Sequence, residues 1–402
     1  MAPVNTPMQR LLPLLLLLAA CSAQGGSREQ AQRIHDRLTG VPADAATLDA
    51  MAALISDGNA QAAAELAMSD DAFYDVTLRR MAAAWTNREQ NLFVSLNDYI
   101  ATVVGMVRDD RDFRELLYGD YLYVADASGL PAYSVSDNRH YEEVEARGLN
   151  LQQVLTPRPQ TSLNGLPAEA VAGVITSRAA AQSFFIAGTN RAMFRFTLMS
   201  QLCRDLEQVS DTTRTPDRIR QDVSRSPGGD SRVYLNNCVG CHAGMDPLAQ
   251  AFAYYNFSYD RDNDPLGANG RLTYNATGQL DAATGSRVVA KYHINSNSFA
   301  PGYITPDDRW DNYWRAGRGS LLGWDPRLPG HGNGARSMGQ ELAHSEAFAQ
   351  CQVEKVFTNV CLRDPVNSGD RSAISAMVAN FAANGFSLKT VFADAAVHCM
   401  GD

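Results

Sequence analysis

Cys238, Cys241 and His242 stand together in Asn237-Cys238-Val239-Gly240-Cys241-His242-Ala243-Gly244-Met245-Asp246-Pro247. In a helix they occupy positions i, i+3 and i+4, which share one face. Two thiols on that face can add to the two vinyl groups of a haem, and the adjoining imidazole then reaches the iron. Cys-x-x-Cys-His is the attachment signature of a c-type haem. The expectation is one covalent haem c on Cys238 and Cys241, with His242 as proximal iron ligand. Two plainer readings use the same residues. A redox dithiol would want a βαβ context, which the flanking sequence does not offer. A zinc site would need a further ligand from elsewhere in the chain.

What fills the opposite face of the iron separates electron transfer from gas or peroxide chemistry. Met245 follows His242 by three residues and approaches the same side of the ring, so it is set aside. The remaining candidates are His293, His331, Met338 and His344. Gly330-His331-Gly332-Asn333-Gly334 leads into Met338, and glycines let a backbone come close to a flat cofactor. Met338 therefore ranks first as distal ligand, followed by His331 and His293. For each, a packing Met or an exposed His is the plainer alternative.

The elements that position this motif begin with an export signal. Arg10 precedes the apolar run 11–18, and Leu18-Ala19-Ala20-Cys21 follows. This predicts a lipoprotein signal over 1–20, a lipid on Cys21 and a flexible tether over 21–27. An ordinary signal peptide with a chance cysteine is the alternative. Ser22 after the lipidated cysteine fits an outer-membrane address, facing the periplasm or the cell surface. Haem attachment by this motif also takes place outside the cytoplasm, so address and cofactor agree. Export permits disulfides. Of seven cysteines, Cys203, Cys351, Cys361 and Cys399 remain once lipid and haem have taken theirs. Four thiols allow three connectivities. Cys203–Cys351 and Cys361–Cys399 is the pairing expected, against buried free thiols.

A net charge of −9 argues against nucleic acid and an anionic membrane surface as partners, while 45% hydrophobic residues can build a substantial core. Apolar spacings of three and four predict a mainly α protein. A helical N-terminal domain covers 28–165, and a haem domain with a C-terminal helical module covers 166–402. Helices are predicted around Ile34 and Leu38, from Thr47 to Gly58, and over 60–68, 70–86, 92–107 and 112–118. His140 reads as exposed, and 109–112 as a solvated charge run. In 179–206, Phe184, Phe185, Met193, Phe194 and Leu198 form an apolar stripe that is core or haem wall. Arg191 and Arg195 read as surface groups, or as partners of haem propionates. A small hairpin is predicted over 272–292 with its turn at 275–278. Asp260-x-Asp262-x-Asp264 opens like a calcium loop, but Pro265 and Arg271 occupy positions where an EF-hand needs Gly and Glu. Trp310, Tyr313, Trp314 and Trp324 line a pocket or form a core cluster. Helical spacing returns over 337–360 and 372–398.

Several stretches occur together in order: Gly173-Val174-Ile175-Thr176-Ser177, Asn190-Arg191-Ala192, Leu202-Cys203, Cys238 to Leu248 and Tyr255-Asn256-Phe257. With Glu341 to Cys351 and the segment from Asn380 to Leu388, they resemble the planctomycete-type cytochrome-c-like proteins, a family of largely uncharacterised domains. The resemblance implies a covalent c-haem on Cys238, Cys241 and His242 in an exported redox protein. The chain departs from that pattern in having no histidine shortly before Cys238, and in carrying Ala249 and Tyr255. The function expected is electron transfer by a lipid-anchored monohaem cytochrome with a redox partner. A haem enzyme acting on peroxide or a small substrate, and a surface structural or binding lipoprotein, are the alternatives. Dihaem peroxidases would show two attachment motifs, and this chain carries one.

Overall fold

In a computed structural model, residues 25–186, 191–219, 231–293 and 303–401 are described. The longer helices are α1 (Ser27–Thr39), α2 (Ala45–Ser56), α3 (Ala60–Ala67), α4 (Asp98–Arg108), α5 (Arg139–Ala146), α6 (Arg191–Leu202), α7 (Val239–Ala249), α8 (Gly334–Ala343), α9 (Glu346–Cys361), α10 (Ser368–Ala383) and α11 (Leu388–Cys399). Three two-stranded antiparallel ribbons complete the fold: β1 (Leu122–Ala125) with β2 (Leu155–Arg158), β3 (Tyr255–Ser258) with β4 (Arg271–Tyr274), and β5 (Arg309–Asp311) with β6 (His331–Asn333). The mainly α class is as the spacing predicts.

Local chemistry sets the helix ends. Asp44, rather than Thr47, caps α2 by accepting the N–H groups of Ala46 and Thr47 at 2.8 and 3.0 Å. Asn97 caps α4 through the Ile100 N–H, so the helix predicted from residue 92 begins later. Every residue of α4 from Asp98 to Val107 is buried. Such a helix is packed on all sides. Gly105 makes this possible, since a side chain there would fall on the Tyr123 ring of β1. The Asp98 carboxylate accepts the N–H groups of Arg178 and Ala179 at 2.7 and 3.0 Å, and burial raises its pKa.

The division expected at 165/166 does not separate two cores. One continuous cluster of buried residues runs from Ala31 to Ala396, and α11 packs against α1 and α3. Helix amphipathicity could not show this, because an apolar face does not name its partner. The hairpin is also displaced. Tyr255 faces Tyr274 across β3 and β4, and residues 275–278 follow the hairpin instead of turning it. Asp260 and Asp264 lie in the loop between those strands. They accept backbone N–H groups of Asp262, Asn263, Ala268 and Asn269, as a solvated turn does. His140 is buried rather than exposed: its Nε2 accepts the Ala125 N–H at 3.0 Å, and its Nδ1–H donates to the Pro131 carbonyl at 2.8 Å.

Two cystines cross the C-terminal helices. Cys203, just beyond α6, joins Cys351 in α9, and Cys361 joins Cys399 at the ends of α9 and α11. On a chain-entropy argument, loops of 148 and 38 residues give stabilisations of about 5 and about 4 kcal/mol. The cystines therefore tie α11 to α9, and α9 to the segment that follows α6.

Candidate haem-attachment site

Cys238 is the residue at the N-terminal cap of helix α7. The Cys238 N–H donates to the Tyr234 carbonyl at 2.9 Å, and the Cys238 carbonyl accepts the His242 N–H at 3.1 Å. The first turn thus carries Cys241 and His242. Two glycines turn this helix against the body. A side chain at Gly240 would fall on Ser210, and one at Gly244 on the Trp314 indole. With no side chains on that ridge, the helix sits close to Trp314, which lies 5.7 Å from the Phe194 ring of α6. Cys238, Cys241 and His242 remain only half-buried.

Cys238 and Cys241 are unbridged, whereas the four other described cysteines form two cystines. Burial pushes the Cys241 thiol up, with the carboxylates of Glu207 and Asp205 adding to the rise. A dithiol catalyst needs the opposite, a thiolate favoured by nearby positive charge. Among the described residues no group of three or more His, Cys, Asp or Glu side chains is arranged to hold a metal ion. Two unbridged thiols and one imidazole in a single turn are the donor set that c-type attachment uses, and on this ground the residues fit the group.

His242 is oriented from below. Its Nδ1–H donates to Asp246 Oδ1 at 3.0 Å, one helical turn on, and the Asp246 side chain is fully buried. Arg191 Nε donates to the same oxygen at 2.9 Å. That bond fixes the tautomer, so the Nε2 lone pair is directed away from the carboxylate. The i+4 spacing of His242 and Asp246 was a readable signal. Arg191, 55 residues away, was not. Arg195 pairs instead with Asp205 at 2.6 Å. Arg195 is exposed, as the surface reading has it, whereas Arg191 is largely buried. A small apolar cluster of Ile219 and Tyr234, with Cys238 and Val239 packed on it, stands apart from the main core. The Tyr234 ring lies 6.1 Å from that of His242.

Of the distal candidates, Met338 lies in the core, while each histidine engages one ring nitrogen with a backbone carbonyl. Met338 is fully buried in the main core, on a helix that packs against the turn Phe113–Leu117. The exposed His331 has its Nδ1 3.1 Å from the Pro329 carbonyl. His344 bonds the Gln340 carbonyl at 2.9 Å and stacks on Tyr118. His293 Nε2 lies 3.4 Å from the Thr305 carbonyl. The apolar stripe of 179–206 is core, with Phe184, Phe185, Met193, Phe194 and Leu198 all buried. Trp310 and Trp314 are core as well, and Trp324 donates to the Trp314 carbonyl at 2.9 Å. Cys21, with the signal and most of the tether, lies outside the described residues. Among the described residues no helix is long and apolar enough to cross a membrane. No family model, curated protein or solved structure matches this chain.

Proposed function

We propose that this chain is an exported c-type monohaem protein that transfers electrons, tethered to the outer membrane through lipid on Cys21. The observation that carries the reading is the pair of unbridged thiols, Cys238 and Cys241, one turn from a histidine whose Nδ1 is already engaged. In a chain whose four other described cysteines are paired, two thiols kept apart on one helix call for a different use. The resemblance of the segment from Cys238 to Phe257 to planctomycete-type cytochrome-c-like proteins supports the same reading. Thioether bonds from Cys238 and Cys241 and coordination by His242 Nε2 would hold the haem, which supplies a one-electron iron couple. The chain's own part is to orient the imidazole through Asp246 and to exclude water with Tyr234 and Ile219. A redox partner would exchange electrons at the half-exposed edge.

Met338, the first-ranked distal ligand, is fully buried in the main core, which favours a second reading, a haem enzyme with an open axial position. Absorption spectra of protein matured in a haem-attaching host, with and without cyanide or carbon monoxide, decide between the two. An electron carrier keeps a six-coordinate spectrum that ignores added ligand. Rapid ligand uptake identifies the enzyme. Colourless protein whose mass shows no added haem overturns both.

A further inference from the structure

The carboxylate of Asp246 receives two charge-assisted hydrogen bonds on one oxygen, Oδ1, from His242 Nδ1–H at 3.0 Å and from Arg191 Nε–H at 2.9 Å. The Asp246 side chain is fully buried and that of Arg191 is 12% exposed. Burying an ion pair has a desolvation cost. Packing alone would be served by apolar residues, so the placement of this pair beneath one imidazole needs a further reason. A carboxylate that accepts the Nδ1–H of a ligating histidine draws that proton toward itself and leaves more electron density on Nε2. Greater basicity at Nε2 stabilises the more positive oxidation state of a bound metal. The low dielectric around a buried charge strengthens the effect. Arg191 acts in the opposite sense, because it draws on the same oxygen and adds a compensating positive charge.

We propose that Asp246 and Arg191 are positioning residues that set the reduction potential of the haem on His242, the carboxylate lowering it and the guanidinium limiting how far. This rests on the haem reading above. Removing the carboxylate takes a negative charge from beside the imidazole, and removing the guanidinium takes away a positive one. The two removals must therefore move the potential in opposite directions, which a loss of folding stability alone would not do. Second-sphere hydrogen bonding of the axial ligand is one of the means by which a protein tunes a haem.

The test compares the full-length, haem-loaded protein with Asp246→Asn and Arg191→Met by spectroelectrochemical titration at one pH, with haem content and thermal midpoint measured on each sample. Asp246→Asn is expected to favour the reduced form about tenfold, equivalent to about 59 mV for a one-electron couple. Arg191→Met is expected to favour the oxidised form, by a smaller factor. Variants that keep their haem and titrate within about twofold of the parent, or that shift in the same direction, overturn the proposal, whatever their thermal midpoints. If Asp246→Asn fails to retain haem, Arg191→Met decides alone: an oxidised-form shift supports the tuning role, and an unchanged potential ends it. A parent protein without covalent haem would instead refute the haem reading on which the proposal rests.

Discussion

Near the C-terminus, His398 Nε2 lies 3.1 Å from Asp370 Oδ1, and Arg363 binds the same carboxylate at 2.6 Å. At the start of α7, His242 Nδ1 lies 3.0 Å from Asp246 Oδ1, and Arg191 binds that carboxylate at 2.9 Å. Each region holds a histidine, an aspartate and an arginine, with cysteine next to the histidine. In the first, the neighbouring Cys399 is tied to Cys361, and the triad helps clamp three helix ends. In the second, the neighbouring Cys241 is an unbridged thiol, as is Cys238. The ring nitrogen that is engaged also differs, Nε2 in the clamp and Nδ1 in the site. A polar triad is therefore not a site by itself. The state of the adjacent sulfur and the choice of nitrogen decide what it becomes.

That contrast can be broken from either side. The largest effect is expected from Cys238→Ser with Cys241→Ser, which removes both points of attachment: covalent haem on a denaturing gel disappears, while far-UV circular dichroism keeps its helical signal. Persistent covalent haem would refute the assignment. Replacing Cys361 and Cys399 by Ala should do the reverse. It lowers unfolding free energy by about 4 kcal/mol for the 38-residue loop, read by urea titration, and leaves haem on the folded fraction. Gly244→Ala sharpens the comparison at the site's own support. The added methyl meets the Trp314 indole, and overpacking of this kind costs about 1–3 kcal/mol. A urea midpoint equal to the parent's would show that the helix relaxes freely.

The smallest effect concerns the clamp. The Arg363 guanidinium, with the Val366 N–H and the His398 ring, holds the Asp370 carboxyl well below the usual carboxylate range. A depressed pKa contributes stability that is full above the unfolded value and is lost as pH falls through the folded one. The thermal midpoint of Asp370→Asn should therefore lie below the parent's at neutral pH. That gap should hold down to about pH 5 and close below about pH 4, where the unfolded carboxyl protonates. A gap that widens on acidification would contradict the sign.

Much of the fold could be read in advance wherever the signal was local. Ile34 and Leu38 lie in one helix, as their spacing predicts, and the pattern over 337–360 is helical, although His344 and Ser345 divide it between α8 and α9. Features that depend on distant chain carry no such local signal. Tyr255 faces Tyr274 across an intervening loop, so the true first strand lay outside the predicted hairpin. His140 looked like a surface residue because nothing near it in sequence announces that the Ala125 N–H will meet its ring.

The chain's order of residues, taken alone, was enough to bring Cys238, Cys241 and His242 into one helical turn and to put Asp246 one turn further on, because helical periodicity acts over a few residues. It also decided that the chain would be mainly helical. Only the tertiary structure decided that Arg191 would reach Asp246, that Trp314 would press the glycine ridge of α7, and that the helices of both ends would share a single core. Those contacts join residues separated by tens to hundreds of positions, and what selects them is the burial of complementary surfaces.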